Sequence, residues 1–172
     1  GSAFYLFFIT VQDFFIKKNK RFSQNIAHFG FSLLILSILL NSIFSTEIIT
    51  NLKVGESYIE DDLKIEFKDL DKENKKNYIS FTGTFYIKDK SSNNILNPEL
   101  RIYNQPNIIT SEADIITTLF TDKFITINTV QNAEYFNIRY QVKPFMLWIW
   151  ISVLLISLGG LISLLKKKVY EK

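Results

Sequence analysis

Residues 26–44 read IAHFGFSLLILSILLNSIF, with no Asp, Glu, Lys or Arg among them. A membrane-spanning helix needs about 20 mainly apolar residues, and this run meets that requirement. His28, the only histidine of the chain, lies inside it. An ionisable side chain within a span is costly, which makes His28 the first candidate for a functional residue. Imidazole is a common metal ligand, haem iron included. The competing role is a neutral imidazole hydrogen-bonded to a neighbouring helix. With the membrane starting near Phe22, His28 sits roughly 9 Å along the helix at about 1.5 Å per residue. Gly30, two residues on, leaves backbone space for a flat partner, either a helix or a porphyrin.

A second charge-free run, residues 145–165, reads FMLWIWISVLLISLGGLISLL and ends in Lys166, Lys167 and Lys168. Lys17, Lys18, Lys20 and Arg21 precede the first run. Both basic clusters abut apolar spans on the same side, which the positive-inside rule assigns to the cytoplasm or the matrix. Between the spans, residues 47–143 carry 12 Lys/Arg against 15 Asp/Glu, a net of −3. This region is expected on the periplasmic or intermembrane-space side of an inner membrane. The overall +3 is thus a topology signal and not a nucleic-acid footprint. Trp148 and Trp150 read as an interfacial aromatic belt at the outer boundary. Gly159 and Gly160 read as a site of close helix packing. With no Cys, the chain has neither disulfides nor thiolate metal sites.

The first segment, residues 3–16, is aromatic but interrupted by Gln12 and Asp13, and too short to span. It is expected to be an interfacial helix or the end of an earlier helix in a truncated chain. The intervening domain has the period-two alternation of strands. Residues 63–68 (LKIEFK) show it, as do residues 77–88, with further strands expected at 95–103, 123–130 and 135–142. Residues 89–94, DKSSNN, form a turn-rich break. Residues 110–119, TSEADIITTL, read as one short helix, capped by Thr110 or Ser111 with Glu112 and Asp114 in its first turn. The expected fold is therefore an α+β membrane protein. Two transmembrane helices flank an extracytoplasmic antiparallel β-sandwich or barrel-like domain with one short helix. The segments are residues 1–21, the His28 span at 22–45, the β domain at 46–143, the second span at 144–165 and a basic tail at 166–172.

No catalytic residue is expected, because no base stands near the outer-domain hydroxyls. The run Glu60-Asp61-Asp62 reads as a solvated turn, with a spacing unlike a calcium loop.

Several fragments occur in an order that resembles one family. They are Ala27-His28-x-Gly30, Gly55, Asn77-Tyr78, Pro98-Glu99-x-Arg101-x-Tyr103 and Ser111-Glu112-Ala113-x-Ile115. After them come Asp122-x-Phe124-Ile125, Arg139-Tyr140, Lys143-Pro144-Phe145, Trp148-Ile149-Trp150 and Gly159-Gly160. From about residue 25 to 165 the chain resembles the C-terminal portion of CcmF, the haem lyase subunit of cytochrome c maturation. The resemblance implies covalent attachment of haem to the Cys-x-x-Cys-His motif of apocytochrome c. It implies the haem chaperone CcmE and a CcmH-type apocytochrome-presenting protein as partners, alongside the upstream portion of CcmF and the lipid bilayer. It further implies an intramembrane haem b held between two histidines, with His28 matching the later one as an axial ligand to the iron. The family's other histidines and its tryptophan-rich segment have no counterpart here, so the chain is not catalytic alone. Ser111 and Asp114 stand where the family favours Thr and Ala. Pro98, Glu99, Arg101 and Tyr103 are expected either to shape the outer domain near haem or CcmH, or to form an internal ion pair. Two other functions fit the residues: a haem-free membrane-tethered β module that binds a partner, and the nitrite-reductase maturation paralogue NrfE.

Overall fold

The two charge-free runs fold as long helices. In the computed structural model these are α2 (Phe22–Phe44) and α3 (Met146–Tyr170), preceded by α1 (Ser2–Ile16). The structure describes residues 2–16, 22–90, 92–130 and 134–170, without the side chains of 13–16 and 166–170. Both α2 and residues 146–165 of α3 are long and apolar enough to cross a membrane. Much of their apolar surface is uncovered, including Ile38, Ile43, Leu154, Leu161 and Leu164. Lys17, Lys18, Lys20 and Arg21, and the side chains of Lys166, Lys167 and Lys168, lie outside the described residues. The orientation drawn from those charges therefore stays an expectation.

Ten strands follow α2: β1 (Thr46–Leu52), β2 (Ser57–Glu60), β3 (Leu63–Asn74), β4 (Tyr78–Lys88), β5 (Asn93–Leu96), β6 (Glu99–Tyr103), β7 (Ile108–Glu112), β8 (Asp114–Thr117), β9 (Thr121–Thr129) and β10 (Phe136–Pro144). They form a four-stranded sheet, β1-β10-β9-β8, and a six-stranded one, β2-β3-β4-β6-β7, with β5 also paired to β4. All the described pairings are antiparallel. The chain divides into two compact units. One holds the helices and residues 118–122, the other holds residues 46–117 and 123–142. This is the architecture expected from the sequence: two apolar helices flanking an antiparallel β-sandwich.

Inside the β unit the alternation works as the sequence suggests. Ile65, Phe67, Phe85, Ile87, Ile125, Ile127, Ile138 and Tyr140 form a buried core. Phe67 and Phe85 are cross-strand partners with rings stacked 4.4 Å apart. A bulge at Lys68 then shifts the register between Phe67 and Asp69. One extra residue reverses which parity faces inward. Leu70, opposite Gly83, thereby joins the inner face instead of Asp69.

One element corrects the sequence reading. Residues 110–119 are not helical: they form the end of β7, the whole of β8 and part of a turn. Glu112 pairs with Glu99 and Thr110 with Arg101 across β6. The β-branched residues 108–110 and 115–118 suit a pleated surface better than a helix. Among the described residues the one short helix is α1, ahead of the first span. The expected strand at 95–103 also divides into β5 and β6 at Asn97-Pro98, where proline lacks the N–H a ladder requires.

The turn at residues 89–92 places charge against the core. Lys123 Nζ meets the Asp89 carboxylate and lies 2.8 Å from Ser92 Oγ. The Lys123 and Asp89 side chains are 12% and 21% exposed. Nearby, burial, aided by the Asp89 charge, pushes the Tyr140 hydroxyl up to about 12. Cutting a fully buried pair costs about 3–5 kcal/mol and an exposed pair almost nothing. Lys123→Met is therefore expected to destabilise the β unit by about 1–2 kcal/mol, midway between those limits. Chemical denaturation followed by far-ultraviolet circular dichroism measures it.

Candidate functional site

Three faces of α2 have different surroundings. On the first, Ser23, Ala27 and Gly30 meet α3. A Cβ built on Gly159 would lie 2.8 Å from Ala27 N and Ser23 O, and one on Gly30 would lie 3.0 Å from Ile156 and Leu155. Glycine at these two places allows backbones to approach that side chains would hold apart. The space beside Gly30 is thus filled by a helix. Gly159 packs as expected, whereas Gly160 faces open space.

The second face meets α1. Phe29 and Phe7 have ring centroids 5.9 Å apart. Ser32 Oγ and Thr10 Oγ1 share a 2.7 Å hydrogen bond. One of the two hydroxyls donates in that bond, which leaves the other free to donate to a carbonyl of its own helix, Phe29 O for Ser32 or Leu6 O for Thr10, each at 2.9 Å. Bonding of this kind satisfies the two hydroxyls between apolar helices.

His28 lies on the third face. Helical spacing aligns Gln24, His28, Phe31, Ile35 and Leu39 along one side of α2. Gln24, His28, Phe31 and Leu39 are exposed, and Ile35 is half-buried. Phe31 is 53% exposed, and Ile38 alongside is 50% exposed. Beyond Gln24 this is an exposed, largely apolar stripe carrying one imidazole, and the described contacts of α1 and α3 fall on the other two faces. Among the described residues no group of three or more His, Cys, Asp or Glu is placed to hold a bare metal ion. What His28 can offer a metal is a single nitrogen. That suits an iron whose equatorial positions a macrocycle already fills.

The outer-domain residues named by the sequence come together on β6. Arg101 Nη2 donates to Glu99 Oε2 at 2.6 Å, and its Nη1 lies 3.7 Å from Glu112. Ser80 donates to the other Glu99 oxygen. The guanidinium sits 5.3 Å from the Tyr78 ring centroid, and Tyr78 packs 5.1 Å from Tyr103. Pro98 is buried, and its carbonyl accepts a hydrogen bond from Gly83 N at 3.0 Å. The ion pair expected between Glu99 and Arg101 is formed, and Arg101 Nε is buried without a hydrogen-bond partner. Ser111 Oγ also has a structural role, donating to Ile127 O at 2.7 Å. Of the run Glu60-Asp61-Asp62, Glu60 ends β2 and the two aspartates make the turn, with Asp61 at φ 48° and Asp62 paired to Lys90.

Arg101, helped by the Ser80 hydroxyl, holds the Glu99 carboxyl below the ordinary carboxylate range. A lowered folded-state value contributes stability above the unfolded value and loses it as pH falls through the lowered one. The stability difference between the natural chain and Arg101→Met should therefore be full at neutral pH and shrink in acid. Denaturation series from pH 7 down to pH 3 test this, and a gap that stays constant would detach the effect from Glu99.

Trp148 is more than a belt residue. Its Nε1 donates to Leu119 O at 2.9 Å, and its ring stacks on Phe120 at 6.2 Å. Phe145 N donates to Phe120 O at 2.7 Å. Sequence reasoning missed residues 119 and 120 because they lay inside the expected helix and its end.

Comparison with known proteins gives a consistent picture. A family model described as the CcmF C-terminal beta-sandwich matches residues 43–144. The cytochrome c-type biogenesis protein CcmF of Haemophilus influenzae is 28% identical over 162 residues, 91% of this chain and 25% of that protein. The Escherichia coli protein of that name is 27% identical over 139 residues, 80% of this chain and 22% of that protein. The chain thus spans about a quarter of the length of these curated relatives. A solved structure titled cytochrome c heme lyase CcmF superposes with a TM-score of 0.65 at 16% identity, covering 92% of this chain and 28% of that one. At that identity the likeness concerns the fold.

Proposed function

The chain belongs to the CcmF C-terminal β-sandwich family, and from that membership we propose that it is a component of the cytochrome c maturation haem lyase. Its contribution is one axial ligand of an intramembrane haem b, His28, together with an outer-face β domain. The observation that carries this reading is the position of His28. The only imidazole of the chain stands on the exposed, largely apolar face of α2, away from the described contacts of α1 and α3. His28 would hold a haem there, with Phe31 beside it offering an apolar surface to the ring. A haem held there would supply one-electron redox chemistry.

The chain's own residues position the ligand. The contacts of Gly30 with Leu155 and Ile156, and of Gly159 with Ser23 and Ala27, fix the helix that carries the imidazole. The substrate haem is delivered by a CcmE-type chaperone and joined to the two thiols of apocytochrome c presented by a CcmH-type partner. The β domain stands on the periplasmic or intermembrane-space side of an inner membrane. The test is to co-express the chain with the upstream portion, purify the pair and record a reduced-minus-oxidised spectrum. A b-type signal supports the reading, and well-folded material without one removes it.

A second reading has one observation in its favour. β7 ends the six-stranded sheet, with Ile108 and Ile109 exposed, and an edge strand of this kind can add an extended peptide. A haem-free binding module would keep its partner affinity after loss of His28. The nitrite-reductase branch would be recognised by attachment of haem to its unusual Lys-containing target motif.

A further inference from the structure

The turn between β8 and β9 is apolar at its tip. Residues 115–121, IITTLFT, contain no charged side chain, and Leu119 and Phe120 are each 55% exposed. In a water-facing hairpin such a tip is an aggregation liability. Several of its polar groups are bonded within the protein. Thr118 N and Oγ1 donate to Thr121 O at 2.9 and 2.8 Å, and Thr121 N donates to Thr118 Oγ1 at 3.1 Å. Leu119 O accepts from Trp148 Nε1, and Phe120 O from Phe145 N. Backbone groups bonded within the protein can leave water without an unpaired donor or acceptor.

The tip is also continuous with a candidate span. Phe120 lies between Trp148, stacked at 6.2 Å, and Phe145, edge-on at 6.3 Å, at the start of α3. The span begins at Met146, and Trp150 is 65% exposed. Indole and phenyl rings gather at the boundary between lipid headgroups and acyl chains. We propose that the turn is a membrane-interface anchor, in which Leu119 and Phe120 insert into the lipid boundary beside Trp148 and Trp150. The partner is the bilayer itself. This rests on α3 being a span and is independent of any haem at His28.

The absence of cysteine makes the test direct. Leu119→Cys in the full chain is spin-labelled and reconstituted in phosphatidylcholine–phosphatidylglycerol vesicles. Collision rates with oxygen and with a water-soluble nickel chelate are then compared. The Leu119 side chain is exposed and only its carbonyl bonds to Trp148, so the substitution leaves those contacts in place. The label should favour oxygen, at a depth of roughly 5–10 Å below the headgroups, whereas a label at exposed Asn104 on the β unit should favour nickel. Equal nickel access at both positions would place the turn in water and overturn the proposal. Shielding from both reagents would mean a protein covers the turn, which overturns it equally.

Discussion

Replacing His28 with alanine is expected to remove the b-type signal from the reduced-minus-oxidised spectrum of the assembled protein. It should leave the chain inserted and its β unit folded. A change to the surroundings of a metal ligand alone typically costs 10–100-fold in affinity. Removing a ligand costs more, so the signal should fall at least about tenfold. The geometry makes the experiment selective. His28 is exposed and belongs to neither the Gly159 contact nor the Ser32–Thr10 contact, so its loss does not loosen the helices. Far-ultraviolet circular dichroism and yield should therefore match the natural chain. His28→Met, which keeps a weaker axial donor, should retain a shifted or partial signal. A spectrum unchanged in His28→Ala would take His28 out of the site. The haem-free module would then be the better reading.

The parts legible in the sequence share one physical trait: their pattern is local. Residues 26–44 and 145–165 are charge-free and mainly apolar over more than 18 positions, a length and composition that themselves point to helices. LKIEFK alternates cleanly because one face of β3 is buried, as Ile65 and Phe67 are. The missed strands lack such a face. In β1 only Leu52 is buried, and β2 has no fully buried residue, so neither carries the alternation that a buried face imposes. The segment 110–119 misled for another reason. Its caps and acidic first turn satisfied local helix rules, yet the non-local pairs Glu99–Glu112 and Arg101–Thr110 settle its conformation. In strands, propensity yields to such partners.

The site shows the same division. His28 stood out because it is unique and lies in an apolar run. Which side of α2 remains open depends on where α1 and α3 pack, and no spacing within α2 reveals that. Gly30 appeared free to admit a porphyrin or a helix, and the positions of Leu155 and Ile156 decide for the helix. The Arg101–Glu99 pair was foreseeable from strand alternation alone. The link from Trp148 to Leu119, across 29 positions of sequence, was not.

The second large effect is expected from Gly159→Leu. Leucine is a good helix former, so any loss reports on packing and not on helix propensity. The first added carbon would already lie 2.8 Å from Ala27 N and Ser23 O. Those are backbone atoms, which cannot rotate aside as a side-chain end does. The helices must separate, and the contacts of Gly30 with Leu155 and Ile156, one turn away, loosen with them. Overpacking costs about 1–3 kcal/mol and occasionally more. A clash with backbone coupled to a second contact puts this variant near 3 kcal/mol. Gly160→Leu provides the matched comparison, since a Cβ there meets nothing within 4 Å, and it should change stability little. Thermal unfolding in detergent, followed at a helical wavelength, should separate the two variants clearly. Haem content should follow the same order, because α2 carries His28 and α3 braces it. Equal stability in the Gly159 and Gly160 variants would mean that the α2–α3 contact does not hold the helix pair together, and the placement of His28 would need another support.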